Sequence, residues 1–542
     1  MRTHWLAACV VAGLAPIAWT QTLAEPTPPT DSALATVAER SGYRATSTSA
    51  EVVTHLDALT AASKIARRVS MGTTHEGRDI PMIVIADPPV ATPAEAQAAS
   101  KASGRLVVLL FGNIHSGECD GKEALGMLAR SLATTPSHPL LKNLIVVIAP
   151  NFNADGNDKV GPVDNRRPGQ VGPADGCGTR ENAQGLDLNR DFIKLVSPEA
   201  RALVRAIREW DPAVVVDCHT TNGSHHRYLV TYAGPKSPAG DRRLVDFSRQ
   251  TFMPGITTRF EASTGRHTFW YGNFEGDHDA PPRGHARWET FPAEARFGTT
   301  YIGLRGRLSV LVESYSYASY KDRVLGSLAF CTLILETTDQ EREKIRAVIS
   351  EAAADRPAKV AVRSKASAWH GLFTIKGFAE ETKDGKSVST GEPKDYQVEL
   401  WDTFEPLGEV ERPAAYLLPD ASPEVVETLR AHGLVVEFAT APATLAVQVQ
   451  RVTKATPSSR PFQNRIPLTI ETQRRDERIE VPAGTLVVRT DNPLGRLAVY
   501  LLEPTSEDGL ATWNFFDAWA KPGIDFPVLR AMTFDAATRS ER

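Results

Sequence analysis

The stretch "RLVVLLFGNIHSGECDG", Arg105 to Gly121, decides how the chain is read. It begins as an apolar run and ends with His115 and Glu118 three residues apart. A strand leaving the core for a turn needs residues such as Ser116 or Gly117 at that point. It does not need an imidazole and a carboxylate. The arrangement returns in "AVVVDCHTTNG", Ala213 to Gly223, where His219 follows the apolar run. It returns again in "LSVLVES", Leu308 to Ser314, where Glu313 does. Packing does not account for three apolar strands that each end in His or Glu.

Continuous apolar runs, as opposed to alternating ones, belong to central strands covered on both faces. Helical patterns lie between them: "GKEALGMLARSLA" after the opening stretch, "SPEARALVRAIREW" before the second, and "EREKIRAVISEAAA" after the third. Ser197 reads as an N-cap with Pro198 at the first helical position. The expectation for residues 48–352 is therefore an α/β domain, a mixed central sheet with helices on both faces. In such sheets ligands bind beyond the carboxyl ends of the strands, where the His and Glu residues fall. Two histidines and a glutamate form a zinc set used in hydrolytic sites, with one position left open for water.

After Pro357 the texture changes to short alternating segments such as "YQVELW", "LAVQVQRV" and "IPLTIETQ". One helix-like segment, "SPEVVETLRAHG", interrupts them and ends at Gly433. Residues 358–542 are expected to be a β-rich C-terminal region, with a candidate break between two subdomains at "KATPSSRPFQNR".

A chain of 542 residues is too long for one core. Its formal net charge of -4 gives no electrostatic basis for binding nucleic acid or an acidic membrane surface. Residues 1–24 read as a signal peptide, with Arg2 ahead of an apolar stretch and Thr22, Leu23 and Ala24 at a cleavage site. Residues 25–47 read as a linker. The expected mature protein is exported, periplasmic or extracellular, without a membrane span. The sequence fixes no oligomeric state. Cys119, Cys177, Cys218 and Cys331 contain no C-x-x-C pair, which argues against a cysteine zinc site. An oxidising compartment would allow disulfides, but the spacing assigns none, and small buried residues are the simpler reading. His225, His226, His278 and His285 lie in loops without a strand end and read as solvated.

Between the first two strand ends lies "GLDLNRDF", Gly185 to Phe192. With it, the order His115-Ser-Gly-Glu118, Gly185-Leu-Asp-Leu-Asn189-Arg190, His219 and Glu313 resembles the zinc carboxypeptidase family over roughly residues 48–350. "PNFNADGND", Pro150 to Asp158, resembles that family's Asn-Pro-Asp-Gly stretch, with alanine where proline is common. The resemblance implies one zinc ion per chain held by His115, Glu118 and His219, with Glu313 as general base. It implies that Asn189 and Arg190 hold a substrate's terminal carboxylate, for which a planar guanidinium is suited. A further arginine should polarise the scissile carbonyl; Arg166, Arg167 and Arg180 lie in the right loop, and Arg180 is taken for its proximity to Asn189. A substrate-binding tyrosine is also implied, taken as Tyr301 with Tyr271 as the alternative. The expected activity is hydrolysis of a peptide or amide bond beside a free carboxylate. The alternatives are an amidohydrolase acting on acylated amino acids or cell-wall peptides, and a binding protein on the same fold. A retained Glu313 argues against the last, because binding alone needs no general base.

Overall fold

The computed structural model describes residues 23–275, 285–383 and 386–540. The expected signal segment up to residue 22, and His278, lie outside these. The opening apolar run forms β3 (Leu106–Gly112) of an eight-stranded sheet. The other strands are β1 (Ala66–Thr73), β2 (Asp79–Ile85), β4 (Leu144–Ala149), β5 (Val214–Thr221), β6 (Tyr228–Ala233), β7 (His267–Trp270) and β8 (Leu308–Tyr315). Their order is β1-β2-β4-β3-β5-β8-β6-β7. The central strands β4, β3, β5 and β8 run parallel, while β6 pairs antiparallel to β8 and β2 antiparallel to β4. The sheet is mixed, as expected.

Side chains alternate across a strand, so each apolar run supplies two cores. Val108 and Leu110 of β3 join the core under helices α1 (Ser49–Ala62), α3 (Asp120–Thr134), α5 (Met253–Thr264), α7 (Tyr320–Gln340) and α8 (Arg342–Ala354). Val107, Leu109 and Phe111 point the other way, towards α2 (Pro93–Ser103), α4 (Pro198–Trp210) and α6 (Gly298–Leu304). Ser197 caps α4 by accepting from the Ala200 amide at 3.1 Å, ahead of Pro198. Such a cap contributes about 1 kcal/mol.

The turn from β3 into α3 is tight. A Cβ on Gly121 would lie 2.4 Å from Cβ of Cys218, so only glycine lets the start of α3 rest on β5. Asp120, in the first turn of α3, is fully buried between Arg323 and the Thr220 hydroxyl, 3.3 and 2.9 Å away. That network ties α3 to β5 and α7. The four cysteines are buried thiols; Sγ of Cys218 and Cys331 are 3.6 Å apart, a contact without a bond.

Residues 25–47, expected to be a linker, are instead packed onto α3. Both oxygens of Glu39 take a nitrogen of Arg130 at 2.6 Å, and the Glu123 carboxylate accepts the amides of Ala38 and Ser47.

The C-terminal region carries a seven-stranded sheet built from β9 (Ala415–Leu418), β10 (Val436–Ala439), β11 (Ala443–Pro457), β12 (Leu468–Val481), β13 (Leu486–Arg489), β14 (Leu529–Ala531) and β15 (Thr538–Ser540). Two helices accompany it, α9 (Pro423–Ala431) and α10 (Gly495–Leu502). The stretch expected to separate two subdomains is the end of the β11–β12 hairpin, paired in continuous register from Ala443↔Val481 to Pro457↔Leu468 around one bulge. Its Pro, Ser and Asn residues mark a turn inside one sheet. The core beneath α2, α4 and α6 continues into this region through Tyr416, Leu429, Tyr500 and Trp513, all buried. Among the described residues no helix is long and apolar enough to cross a membrane.

Candidate active site

The parallel pairing of β5 with β8 sets His219 opposite Glu313, and β3 ends beside Cys218, one residue earlier. The three strand ends therefore deliver His115, Glu118, His219 and Glu313 to one cavity of about 220 Å³. Arg167, Arg180, Asn189, Arg190, Tyr271, Phe291, Phe297, Thr299 and Leu311 also line it.

His115, Glu118 and His219 are buried, and their ligand atoms lie within 4.8 Å of one another. Nδ1 of His115 is 3.1 Å from one Glu118 oxygen and Nδ1 of His219 is 3.0 Å from the other. Each ring turns its other nitrogen to a carboxylate. Nε2 of His115 is 2.9 Å from Asp187, and Nε2 of His219 is 2.8 Å from Asp217. A carboxylate behind each imidazole fixes the ring and leaves Nδ1 for a metal. Zinc–ligand bonds of about 2.0–2.1 Å in a tetrahedron put ligand atoms about 3.3 Å apart, so this donor set fits zinc.

The electrostatics follow from burial against these pairings. Burial would raise the Glu118 carboxyl, but His115 and Arg167 outweigh it and hold the group well below the usual carboxylate range. Burial would lower His219, but Asp217 and Glu118 outweigh it and push it up. Glu313 goes the other way: burial, aided by Glu118, raises it to about 8 against the pull of His219 and Arg167. A dication among the three ligands would draw that value down again.

The three candidate arginines separate by their contacts and their exposure. Arg166 does not line the cavity. Arg167 is committed on all sides, with Nε to Gln170, one terminal nitrogen to Glu118 at 2.7 Å and the other to the Thr220 carbonyl. It clamps the Glu118 carboxylate. Arg180 is engaged at all three nitrogens as well, with Nε and one terminal nitrogen on Asp187 at 3.1 and 2.8 Å and the other on Glu118 at 3.2 Å. Its side chain, however, is 34% exposed against 8% for Arg167, so it faces the cavity. Asn189 accepts the Gly298 amide at 2.8 Å, and its Nδ2 lies 3.4 Å from His219. The Arg190 guanidinium stacks on the Phe297 ring at 4.4 Å.

One expected residue is elsewhere. Tyr301 lies in α6, fully buried, and its hydroxyl donates to Nδ1 of His432 at 2.7 Å. The tyrosine in the cavity is Tyr271, held by Thr221 and Asn273, with its hydroxyl raised to about 12 by burial and Glu313. Sequence order near Glu313 does not reveal which way a helix turns its face. Asp187, Asp217 and Phe297 have no place in the sequence reading, and Arg167 enters it only as a candidate for polarising the carbonyl. Asp217 had a signal, since a carboxylate inside the run "AVVVD", two residues before His219, shares that histidine's face of the strand. Of the loop histidines, His226 is packed against Tyr315 and pushed down to about 3 by burial, and His285 pairs with Glu380 at 3.0 Å. Neither joins the metal set.

The chain is similar in sequence to known proteins. Residues 52–251 match the model of the zinc carboxypeptidase family. Carboxypeptidase 2 of Trichophyton rubrum is 21% identical over 475 residues, covering 84% of this chain and 81% of its own length. Carboxypeptidase D of Mus musculus is 32% identical over 168 residues, 27% of this chain and 12% of that protein. Among solved structures, a metallo-carboxypeptidase from Burkholderia cenocepacia aligns at 18% identity with a TM-score of 0.37, over 53% of this chain and 69% of its own.

Proposed function

We propose that this chain, whose residues 52–251 match the zinc carboxypeptidase family, removes the C-terminal residue of peptides by means of the residues gathered in the cavity. The observation that carries the reading is the register of β5 and β8, which sets Glu313 beside His219 and the two other metal-capable side chains. His115, Glu118 and His219 would hold the zinc ion, one per chain. Zinc there supplies a Lewis acid and makes water a stronger acid. Glu313 takes the proton of the attacking water and hands it to the leaving amine. Arg180, which faces the cavity beside Glu118, stabilises the oxyanion. Asn189 and Arg190 receive the terminal carboxylate, and Tyr271 closes over the substrate in the place expected for Tyr301. Phe291, Phe297 and Leu311 surround the C-terminal side chain. The N-terminal sequence supports an exported enzyme, periplasmic or extracellular, which fractionation of expressing cells would test.

The deciding experiment compares an N-blocked dipeptide acid with its C-amide. Arg190→Ala should raise KM for the acid far more than for the amide, by about 2–5 kcal/mol if the pair is desolvated. Equal losses on both substrates would make Arg190 structural and favour the amidohydrolase acting on acylated amino acids.

A further inference from the structure

None of the residues lining the cavity comes from the C-terminal region, yet that region reaches the segment on which both anchor residues rest. Asp508 is fully buried in the loop after α10. Its carboxylate accepts the Arg296 amide at 2.6 Å and meets Nε of the same arginine at 3.0 Å. Trp513 donates to it at 2.8 Å. The Arg296 guanidinium is further enclosed by the rings of Trp513 and Phe462, 5.0 and 5.7 Å away. Backbone and side chain of residue 296 are thus both fixed by one carboxylate from the other region.

The next two residues are the ones that touch the anchor. Phe297 lies under the Arg190 guanidinium, and the Gly298 amide donates to the Asn189 side chain. A Cβ on Gly298 would come within 2.8 Å of the Phe192 ring, so this segment is packed closely against the anchor loop. We propose that Asp508 is a positioning residue for the carboxylate anchor: it fixes residues 296–298 and, through Phe297 and Gly298, sets Arg190 and Asn189. The inference rests on the reading of Arg190 as carboxylate anchor and extends it to the C-terminal region.

A geometric role of this kind has a signature that general loss of structure lacks. A partly unfolded population lowers turnover on every substrate alike. Misplacing the anchor weakens only the substrate that carries the carboxylate. The test measures kcat and KM on the dipeptide acid and its C-amide for wild type, Arg190→Ala and Asp508→Asn. The acid-over-amide preference of Asp508→Asn should fall about tenfold, through KM, with kcat on the acid kept within about twofold. Should Asp508→Asn not fold, Asp508→Leu combined with Arg296→Met replaces the whole ion pair by apolar side chains, which buried pairs commonly tolerate, and the same fall is expected. A preference lost in Arg190→Ala but unchanged in the Asp508 variants would overturn the inference alone. An unchanged preference in Arg190→Ala would overturn the anchor reading and this inference with it.

Discussion

His115, Glu118, His219 and Glu313 sit at the ends of three neighbouring strands, while Asn189 and Arg190 sit in a loop. The first group is placed by backbone. The ladder between β5 and β8 fixes two of its members, and Asp187 and Asp217 fix the ring planes. The second group is placed by side chains from far along the chain. The Asp187 amide donates to Gln463, His432 holds the Ile193 carbonyl at 3.0 Å, and Asp508 fixes Arg296. Asp187 belongs to both halves, since its carboxylate holds His115 while its amide reaches Gln463; that link apart, the metal half is built within one domain and the anchor half across two. The residues proposed for the chemistry are tied to the sheet, whereas those proposed for recognition lean on the C-terminal region.

This contrast can be tested, beginning with the largest expected effect. Chelation of zinc, or His219→Ala, should abolish activity, with metal analysis showing zinc largely lost from the variant. Full occupancy in His219→Ala would show that the metal half is not the one described. Glu313→Gln should keep its zinc and its affinity for a product while kcat falls about 10²–10⁴-fold. Loss of zinc in that variant would make Glu313 a ligand. Asp217→Asn should weaken zinc binding by about 10–100-fold in a competition titration, because the His219 ring loses its orienting carboxylate. An unchanged affinity would mean that the strand alone fixes the ring.

The smallest effect on activity but the sharpest on the two-region contrast is expected in the shared core. Leu429→Ala, in α9, should destabilise by about 2–5 kcal/mol. Its partners belong to the core that also takes in Val107 and Leu109. Calorimetry should therefore show the catalytic domain and the C-terminal region unfolding together at a lower temperature. Two separate transitions, only one of them moved, would mean that the regions are independent.

What could be read in the sequence follows the same division. The metal half was legible because strand ends are a local pattern: apolar run, turn residue, then a polar side chain with no structural need to be there. Arg180 was separable from Arg166 and Arg167 only once their contacts and exposure were known, though its nearness to Asn189 pointed to it. Tyr301 was misplaced because a helix face cannot be inferred from distance along the chain to Glu313; α6 turns it to His432. The Pro and Ser residues at 457–461 suggested a domain break because turn chemistry is the same whether a chain ends a domain or reverses within a sheet. Gln463, Asp508 and the packed segment 25–47 were illegible, since each acts through a partner dozens to hundreds of residues away.

The bond from the Asp187 amide to Gln463 spans 276 residues, and that from the Arg296 amide to Asp508 spans 212. A growing chain therefore carries His115, Glu118, His219 and Glu313 long before the partners of the proposed anchor loop have been made. Contacts so distant along the chain form late, after the loop-closure entropy of everything between has been overcome. The loop of Asn189 and Arg190 thus gains its full set of contacts only when Gln463 and Asp508 have docked, so the setting of the proposed anchor is among the last features of the catalytic domain to form.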